Sequence, residues 1–407
     1  MEKNVPILRF PDFKDSYTKL RLSEILIRHS ENNKDEEFKI DDILSLSSTY
    51  GIVNRKELLE DTYEKVNHLA YIKTRYNDFV YGKSISSNYP FGLFKANKCR
   101  DGLLSTLYFT FKVQNNALPD YLDRYFSHLN RANNFLRKYV LVGDRYITAD
   151  SDFLLSGEIS IPSLPEQTKI ANFLTAVGDK ISQLKKKKEL LEQYKKGVMQ
   201  KIFSQELRFK DENGEDFAEW EEATLIEIAE RITTKNKENN QNVLTISAQI
   251  GLISQIEFFS KSVSAKDVTG YYLLHRNDFA YNKSYSKGYP VGAVKRLNKY
   301  PKGVVSTLYI CFRFNELVDL GFMEHYFDSG LHNSEIEKIA QEGARNHGLL
   351  NIDVKDFFNT RLLLPSLPEQ TKIANFLSAI DDKISHCGKQ IEGMERWKKG
   401  LLQQMFV

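Results

Sequence analysis

The sequence has few cysteines and no long apolar run, and these absences exclude whole classes of protein. Cys99, Cys311 and Cys387 are isolated from one another and odd in number, so neither a disulfide framework nor a cysteine zinc site is indicated. No segment approaches the roughly 18 consecutive apolar residues that a membrane span needs. The start of the chain also lacks the basic flank and apolar stretch of a signal peptide, so we expect a cytoplasmic protein.

Most catalytic signatures are missing as well. Gly82-Lys83-Ser84 ends like a phosphate-binding P-loop, but Asn77 stands where that loop requires its first glycine. There is no Gly-rich dinucleotide fingerprint, no Asn-Pro-Pro-aromatic element for adenine methylation, and no histidine pair at metal-ligand spacing. We therefore expect no catalytic residue, no metal and no cofactor bound by this chain.

One loose nuclease pattern remains as an alternative. Asp12, Glu37 and Lys39 supply the two carboxylates and the lysine that a Mg²⁺-dependent nuclease uses. The pattern has no counterpart in the second half of the chain, and such combinations arise easily in a sequence with 27% charged residues.

The most prominent feature of the sequence is an internal duplication. Residues 162–182, PSLPEQTKIANFLTAVGDKIS, return at 365–385 as PSLPEQTKIANFLSAIDDKIS, and Leu8-Arg9-Phe10 returns as Leu207-Arg208-Phe209. A repeat this long indicates two whole domains, because the units of a solenoid run to roughly 20 to 50 residues. The predicted order is a first domain at 1–161, a helical segment at 162–205, a second domain at 206–364 and a second helical segment at 365–407.

Each duplicated segment predicts a long helix. Ser163 with Glu166, and Ser366 with Glu369, fit a capping box that opens the helix, with a proline in the first turn. Apolar residues then recur in heptads, which predicts helices of roughly 57 Å, at about 1.5 Å per residue, that pair as a coiled coil. The residues predicted to pack the helices together are Ile170, Leu174, Val177, Ile181, Leu184, Leu191, Val198, Ile202, Ile373, Leu377, Ile380, Ile384, Ile391, Met394 and Leu401.

Each domain is predicted to be α/β (α+β), with irregular and mainly antiparallel strands, and each contains one basic, aromatic-rich window. Residues 73–100 carry six Lys or Arg against one acid, and residues 276–302 carry seven against one. Lys and Arg neutralise phosphates, while aromatic and amide side chains contact base edges, so this mixture suits nucleic acid. A solvated, charged face is the alternative interpretation.

The doubled Leu-Pro-Glu-Gln segment, opening a heptad helix after each of two domains, resembles the specificity subunit of type I restriction-modification enzymes. The resemblance covers essentially the whole chain. It implies two target-recognition domains that each read half of a split double-stranded DNA target, separated by two antiparallel helices. It also implies a subunit without its own active site whose helices dock two modification subunits. Those subunits bind S-adenosylmethionine and methylate adenine, and restriction subunits add ATP- and Mg²⁺-dependent translocation and cleavage.

An antiparallel helix pair would relate the two domains by a pseudo-two-fold axis, so that they meet the duplex in opposite strand senses. Half-sites about one helical turn apart, ~34 Å, lie on the same face of DNA. A rigid helix pair of comparable length would fix the number of unread base pairs between them. An interaction scaffold that binds no DNA is the alternative from another class.

The candidate DNA-binding residues come from the two basic windows and from a polar triplet at 345–347. Lys83 and Lys283 are shared by both domains, and we assign them to phosphate because a shared residue cannot distinguish two half-sites. Unshared residues such as Asn88, Tyr285 and Lys287 are better candidates for base contacts. The full set is Arg75, Lys83, Ser84, Asn88, Tyr89, Lys95, Lys98, Arg276, Asn282, Lys283, Ser284, Tyr285, Lys287, Tyr289, Lys295, Arg296, Arg345, Asn346 and His347.

Overall fold

A computed structural model describes residues 5–58, 67–86, 88–143, 147–247, 250–259, 267–285, 288–340 and 350–407. The chain divides into two compact units: unit 1 is Met1–Lys185 with Lys389–Val407, and unit 2 is Lys186–Gly388. The boundary between the units passes through two long helices. Each unit therefore combines one mixed domain with half of each long helix.

Unit 1 is built from short strands and three short α-helices among its described residues, together with four single-turn 3-10 helices. The strands are β1 (Thr18–Arg21), β2 (Leu26–His29), β3 (Leu44–Ser47), β4 (Gly51–Asn54), β5 (Ile72–Thr74), β6 (Phe79–Gly82), β7 (Leu93–Ala96), β8 (Gly102–Leu104), β9 (Tyr108–Val113), β10 (Val140–Val142), β11 (Ile147–Ala149) and β12 (Glu158–Ile161). The short helices are α1 (Pro119–Phe126), α2 (Leu129–Leu136) and α3 (Ser151–Leu155), and the long helix α4 (Leu164–Phe203) follows.

The central sheet of unit 1 has the strand order β2-β9-β6-β7. Strand β6, one of the two inner strands, is buried at all four residues and is called the middle strand below. Because alternate side chains point to opposite sides of a strand, both faces of β6 are covered. Phe79 and Tyr81 face the main core, where Phe79 stacks on Phe94 with ring centroids 5.2 Å apart. Val80 faces a smaller apolar cluster around Leu44. Burial of each such side chain contributes roughly 1.5 to 3 kcal/mol, which fixes the strand register.

Unit 2 repeats this plan. Its strands are β13 (Glu221–Thr224), β14 (Ala229–Arg231), β15 (Leu244–Ser247), β16 (Gly251–Ser254), β17 (Tyr272–His275), β18 (Phe279–Asn282), β19 (Ala293–Arg296), β20 (Lys302–Val305), β21 (Ile310–Phe314) and β22 (Arg361–Leu364). Its helices are α5 (Leu225–Ile228), α6 (Gln255–Phe259), α7 (Leu320–Ser329), α8 (Asn333–Ile339) and α9 (Val354–Phe358), followed by the long α10 (Leu367–Gln404).

The central sheet of unit 2 has the corresponding order β14-β21-β18-β19. Phe279 lies opposite Phe312 in its ladder, just as Phe79 lies opposite Phe111 in unit 1. The named strands pair antiparallel in both units, as the sequence predicts. Each domain is thus a mixed α/β fold. Within the described ranges, no helix is both long and apolar enough to cross a membrane.

The two long helices pack against each other in opposite directions. In unit 1, Phe173 near the start of α4 meets Trp397 near the end of α10, with ring centroids 5.8 Å apart. In unit 2, Lys195 near the end of α4 pairs with Asp381 in the first half of α10. The residues predicted to pack the helices are buried except for Leu191, Ile384 and Met394, which are half-buried.

The same apolar columns also pack on the domains. The core of unit 1 contains Ile170 and Leu174 of α4 and Leu401 of α10 together with the sheet residues. The core of unit 2 is built likewise from Val198 of α4 and Ile373 of α10. Each helix pair is therefore continuous with the core of a domain rather than separate from it.

The start of each long helix differs from the predicted capping box. The Glu166 side chain is 1% exposed and accepts hydrogen bonds from Arg9, from Nε at 2.8 Å and from Nη2 at 2.7 Å. Glu369 is held in the same way by Arg208, at 3.3 Å and 3.0 Å. Ser366 Oγ is buried and finds no hydrogen-bond partner in the part of the chain that the structure describes. The capping-box prediction was wrong, because each glutamate instead anchors the Leu-Arg-Phe segment at the start of its domain.

The glutamines that follow these glutamates tie each helix to its domain. Gln167 Oε1 accepts a hydrogen bond from the Leu118 amide at 2.9 Å, and its Nε2 donates to the Pro162 carbonyl at 2.9 Å. Gln370 makes the equivalent bonds, accepting from the Asp319 amide at 2.8 Å and donating to the Pro365 carbonyl at 2.9 Å. Both buried amides are thus satisfied, and the Leu-Pro-Glu-Gln repeat is a structural joint.

Candidate nucleic-acid interface

The repeated Asn-Asp-Phe element forms a tight turn before the middle strand of each sheet. Asn77 and Asn277 have φ of 73° and 78°, a left-handed conformation that asparagine tolerates better than most residues. The buried Asp78 accepts hydrogen bonds from the Arg75 amide at 2.7 Å and from His29 Nε2 at 3.0 Å. This shared element is therefore explained by backbone geometry and contributes no free charge.

The two ends of β6 separate the basic window of unit 1 into two groups. Arg75 and Lys98 lie at the turn before β6, whereas Lys83 follows its other end. Four residues of strand span about 13 Å at ~3.3 Å each, so the window does not form one patch. The window of unit 2 is divided in the same way by β18.

Three basic residues at the turn end, Arg75, Lys98 and Arg296, are paired with acids of their own domain. Arg75 forms a two-pronged pair with Glu37, at 2.6 Å and 2.8 Å, and hydrogen bonds from Arg75 and Lys73 lower the pKa of Glu37 to about 2. Lys98 lies 2.8 Å from Asp120. In unit 2, Arg296 donates to Asn277 at 2.7 Å and lies 3.6 Å from Glu324.

Lys95 and Lys295, at equivalent positions in β7 and β19, are also engaged. Lys95 donates to Ser127 at 3.0 Å and lies 3.5 Å from Asp123. Lys295 is buried and pairs with Asp328. Burial lowers the pKa of Lys295, but Asp328 outweighs this and the net pKa is raised. Contact of Lys95 or Lys295 with DNA would have to compete with these ion pairs. A DNA-binding role for the two lysines therefore stays a prediction.

Lys83 and Lys283 have no acid partner among the described residues. Lys83 Nζ lies 3.9 Å from the centroid of the Phe109 ring, and the Arg28 guanidinium lies 4.6 Å from the same centroid. Burial and the charge of Arg28 lower the pKa of Lys83. Lys283 occupies the equivalent position after β18 and is half-buried. Both domains therefore place a lysine without an acid partner directly after the equivalent strand, β6 or β18, while Arg276 at the other end of β18 is exposed and also has no acid partner among the described residues.

The remaining candidates lie in the loops around this end. Ser84 and Tyr89 line a cavity of about 130 Å³, and Asn88 is exposed beside it. Tyr285 is 64% exposed. Half-buried Tyr289 has its ring centroid 5.2 Å from Lys295 Nζ.

Asn282 accepts a hydrogen bond from the amide of Ser284 at 3.1 Å. Arg276 is exposed in the turn before β18. The predicted residues Lys287, Arg345, Asn346 and His347 lie outside the described residues.

The nuclease pattern does not come together. Asp12 pairs with Lys169, Glu37 pairs with Arg75, and Lys39 lies 3.7 Å from Glu36. These are three separate ion pairs.

Sequence reasoning missed a cluster of three carboxylates, Glu31, Asp35 and Glu37. The ammonium group of the buried Lys73 lies at its centre, 2.8, 2.7 and 2.9 Å from the three side chains. Acids spaced four and two residues apart were the available signal, but they lie in the segment between β2 and β3, and the lysine that they surround lies in β5.

Comparison with known proteins identifies the family. Residues 32–193 and 218–395 match the family model described as type I restriction modification DNA specificity domain. The chain belongs to this family. The predicted resemblance and the predicted fold class, two mixed α/β domains with long helices, are confirmed. The double match also places one family domain in each half of the chain.

Two solved structures resemble the whole chain of this specificity-domain protein. The HsdS subunit from Thermoanaerobacter tengcongensis is 14% identical over 96% of both chains, with a TM-score of 0.52. The S subunit of a type I restriction-modification system from M. genitalium is 13% identical over 99% of both chains, with a TM-score of 0.56. At these identities the similarity shows a shared fold.

A curated relative matches over a shorter stretch. The type I restriction enzyme MjaVIII specificity subunit of Methanocaldococcus jannaschii is 35% identical over 71 residues. That stretch spans 17% of this chain and 17% of the relative.

Proposed function

We propose that this chain is the DNA-recognition subunit of a type I restriction-modification complex, and that each domain reads one half of a bipartite target. The observation that carries the proposal is the duplication of a whole specificity domain together with a lysine at one equivalent place. Lys83 and Lys283 follow the middle strand of their sheets, and neither has an acid partner among the described residues. A lysine that is not paired with an acid of its own chain is available to a phosphate oxygen.

Phosphate contacts would position each domain, and base contacts would specify the sequence. Lys83 with Arg28, and Lys283 in unit 2, serve the first role. The loops after β6 and β18 serve the second, because they carry exposed groups that the two domains do not share. Asn88 offers an amide that can read a base edge, and Tyr285 offers a largely exposed ring with a polar tip.

The helix pair of α4 and α10 would set the gap between the two half-sites and dock two modification subunits. Restriction subunits would complete the assembly. Members of this family are specificity proteins rather than catalysts, so S-adenosylmethionine, ATP and Mg²⁺ belong to the partner subunits in this proposal.

The test is the double variant Lys83→Ala with Lys283→Ala, measured by fluorescence anisotropy on target and random duplexes over a range of salt. Affinity should fall on every duplex, and the slope of log K against log salt should become shallower by about 1.8, at about 0.9 per lost phosphate contact. The matched control is Lys56→Ala with Lys299→Ala, which removes two exposed lysines already paired with Asp41 and Glu257.

The control should retain most of its affinity, although it changes the net charge by the same amount. If the Lys83 and Lys283 variant kept its affinity and changed only its preferred sequence, the phosphate assignment would be wrong. If the unmodified chain bound no duplex at low salt, the interaction-scaffold alternative would replace DNA recognition.

A further inference from the structure

Each unit contains a large cleft where the helix pair meets its domain. The cleft in unit 2 has a volume of about 750 Å³, and Lys195 of α4 and Asp381 of α10 line it. The cleft in unit 1 has a volume of about 780 Å³, and Gly178 of α4 and Lys398 of α10 line it. Lys398 follows Lys195 by 203 residues, and Asp381 follows Gly178 by the same 203, the offset of the duplicated segment. The two clefts are therefore copies of one another with the roles of the helices exchanged.

The two clefts differ in the residue that faces the equivalent lysine, Lys195 in unit 2 and Lys398 in unit 1. In unit 2, Lys195 Nζ lies 2.6 Å from each carboxylate oxygen of Asp381. In unit 1 the position of that aspartate is Gly178, and a Cβ atom built there would lie 3.4 Å from Lys398 Nζ. Lys398 Nζ therefore lies beside the position that corresponds to Asp381, the partner of Lys195 in unit 2. Lys398 forms no hydrogen bond or ion pair with the described residues.

The burial of Lys398 and the cations around it make binding of an anion beside Lys398 more favourable. Lys398 is half-buried, and its pKa is lowered by burial and then by the nearby charges of Arg124, Lys95 and Lys185. The residue of unit 2 that corresponds to Arg124 is His325, whose pKa is lowered to about 4 by burial, so it is neutral at pH 7. The unit 1 cleft is therefore the more positive of the two.

The acids near the unit 1 cleft are already engaged. Glu395 lies 2.7 Å from Lys185, and Asp123 lies 3.5 Å from Lys95 and 3.7 Å from Arg124. A half-buried cation without a counter-charge is costly, so an anion that reaches it gains a charge-assisted hydrogen bond.

We propose that the cleft of unit 1 is a binding site for an aspartate or glutamate side chain of a partner protein, whose carboxylate sits on Lys398 as Asp381 sits on Lys195. In the cleft of unit 2, the carboxylate of Asp381 is the group that pairs with the equivalent lysine. The same cleft is lined by the apolar side chains of Leu129, Ile181 and Leu402, which the aliphatic part of an entering side chain can contact, and by the basic Lys185 and Lys399. The inference does not depend on the DNA-binding role.

The test uses NMR of the full chain labelled with ¹³C at lysine Cε, with the Lys398 signal assigned from a Lys398→Arg variant. The probe is a blocked Leu-Asp-Leu peptide, and the matched control is Leu-Asn-Leu. The aspartate peptide should shift the Lys398 signal and bind at least tenfold more tightly than the asparagine peptide. Gly178→Asp, which supplies the missing carboxylate internally, should abolish this response without changing affinity for duplex DNA.

The reverse exchange, Asp381→Gly, should create the same aspartate-dependent response at Lys195, and it decides the question even if Gly178→Asp disturbs the fold. Equal binding of the two peptides would overturn the proposal, as would an unchanged response in Gly178→Asp. A Lys398 signal that responds to duplex DNA and not to the aspartate peptide would also overturn it, and would assign the cleft to phosphate.

Discussion

Replacing Arg9 with leucine would test whether a buried ion pair fastens the start of the first domain to the first long helix. Arg9 and Glu166 are 15% and 1% exposed, and two hydrogen bonds of 2.8 Å and 2.7 Å join them. The Tyr17 hydroxyl donates to the same carboxylate at 3.3 Å. Among the residues that the structure describes, leucine would therefore leave the buried carboxylate with one long, neutral hydrogen bond.

The magnitude follows from the cost of leaving a buried charge unpaired. Removing one partner of a buried ion pair costs about 3 to 5 kcal/mol. Because Arg9 retains some contact with water, we expect Arg9→Leu to lower the free energy of unfolding of unit 1 by about 3 kcal/mol. The double variant Arg9→Leu with Glu166→Gln should recover most of this loss, since the charge itself is then gone.

The chain contains two tryptophans, one in each unit, and they allow the units to be followed separately. Trp397 contacts Phe173 in unit 1, and Trp220 contacts Phe322 in unit 2, with ring centroids 5.8 Å and 6.1 Å apart. Urea unfolding of the Trp220→Phe protein reports unit 1, and urea unfolding of the Trp397→Phe protein reports unit 2.

Arg9→Leu should shift the transition seen through Trp397 far more than the one seen through Trp220. Arg208→Leu should do the opposite, because it breaks the equivalent pair with Glu369 in unit 2. A loss below about 1 kcal/mol for Arg9→Leu, or a double variant no more stable than the single one, would refute the reasoning.

Two further predictions concern pH and helix length. Burial lowers the pKa of His332 to about 4, whereas an unfolded histidine titrates near 6.5. As the pH falls, the unfolded chain therefore binds a proton before the folded one does. Unit 2 should lose stability as pH falls from about 6.5 towards 4. His332 alone contributes a slope of up to about 1.4 kcal/mol per pH unit, and His325, whose pKa burial also lowers to about 4, adds to it. His332→Phe should therefore reduce the slope without abolishing it in urea unfolding followed through Trp220. A four-residue insertion within 185–192 lengthens α4 by about 6 Å and shifts its heptad phase. Mapping of methylated adenines should then show an altered gap between the half-sites or no modification. An unchanged target would contradict the proposal that the helix pair sets the gap.

The parts of the fold that the sequence predicts are those set by local periodicity. The heptads of α4 and α10 carry their own signal over about five repeats, and the structure has helices of 40 and 38 residues there. The strands β9, β15 and β21 lie in segments rich in β-branched, aromatic and other apolar residues, which a local pattern also indicates. Their alternating or continuous apolar residues indicate burial without knowledge of any distant partner.

The parts that local patterns could not predict depend on residues far apart in the chain. Glu166 lies in a capping-box pattern, but its partner Arg9 lies 157 residues away, and the buried ion pair outweighs the local cap. The basic windows mislead for a related reason. The acids that neutralise Lys98 and Lys295 are Asp120 and Asp328, which lie on α1 and α7 outside the windows. Charge counted along the sequence therefore overstates the charge that the folded windows offer to DNA.

The two units place basic side chains of different chemistry near the short helices α2 and α8. In unit 1, Arg131 of α2 donates to the Leu402 carbonyl at 3.0 Å and lies 5.0 Å from the centroid of the Phe406 ring. This cation is satisfied by α10 and the residues that follow it, and it stays charged at every pH of interest. His332 is buried between aromatic rings, and both ring nitrogens lack a hydrogen-bond partner within the described residues. It is therefore stable there only while neutral, so acid should weaken unit 2 more strongly than unit 1 although the two share one fold.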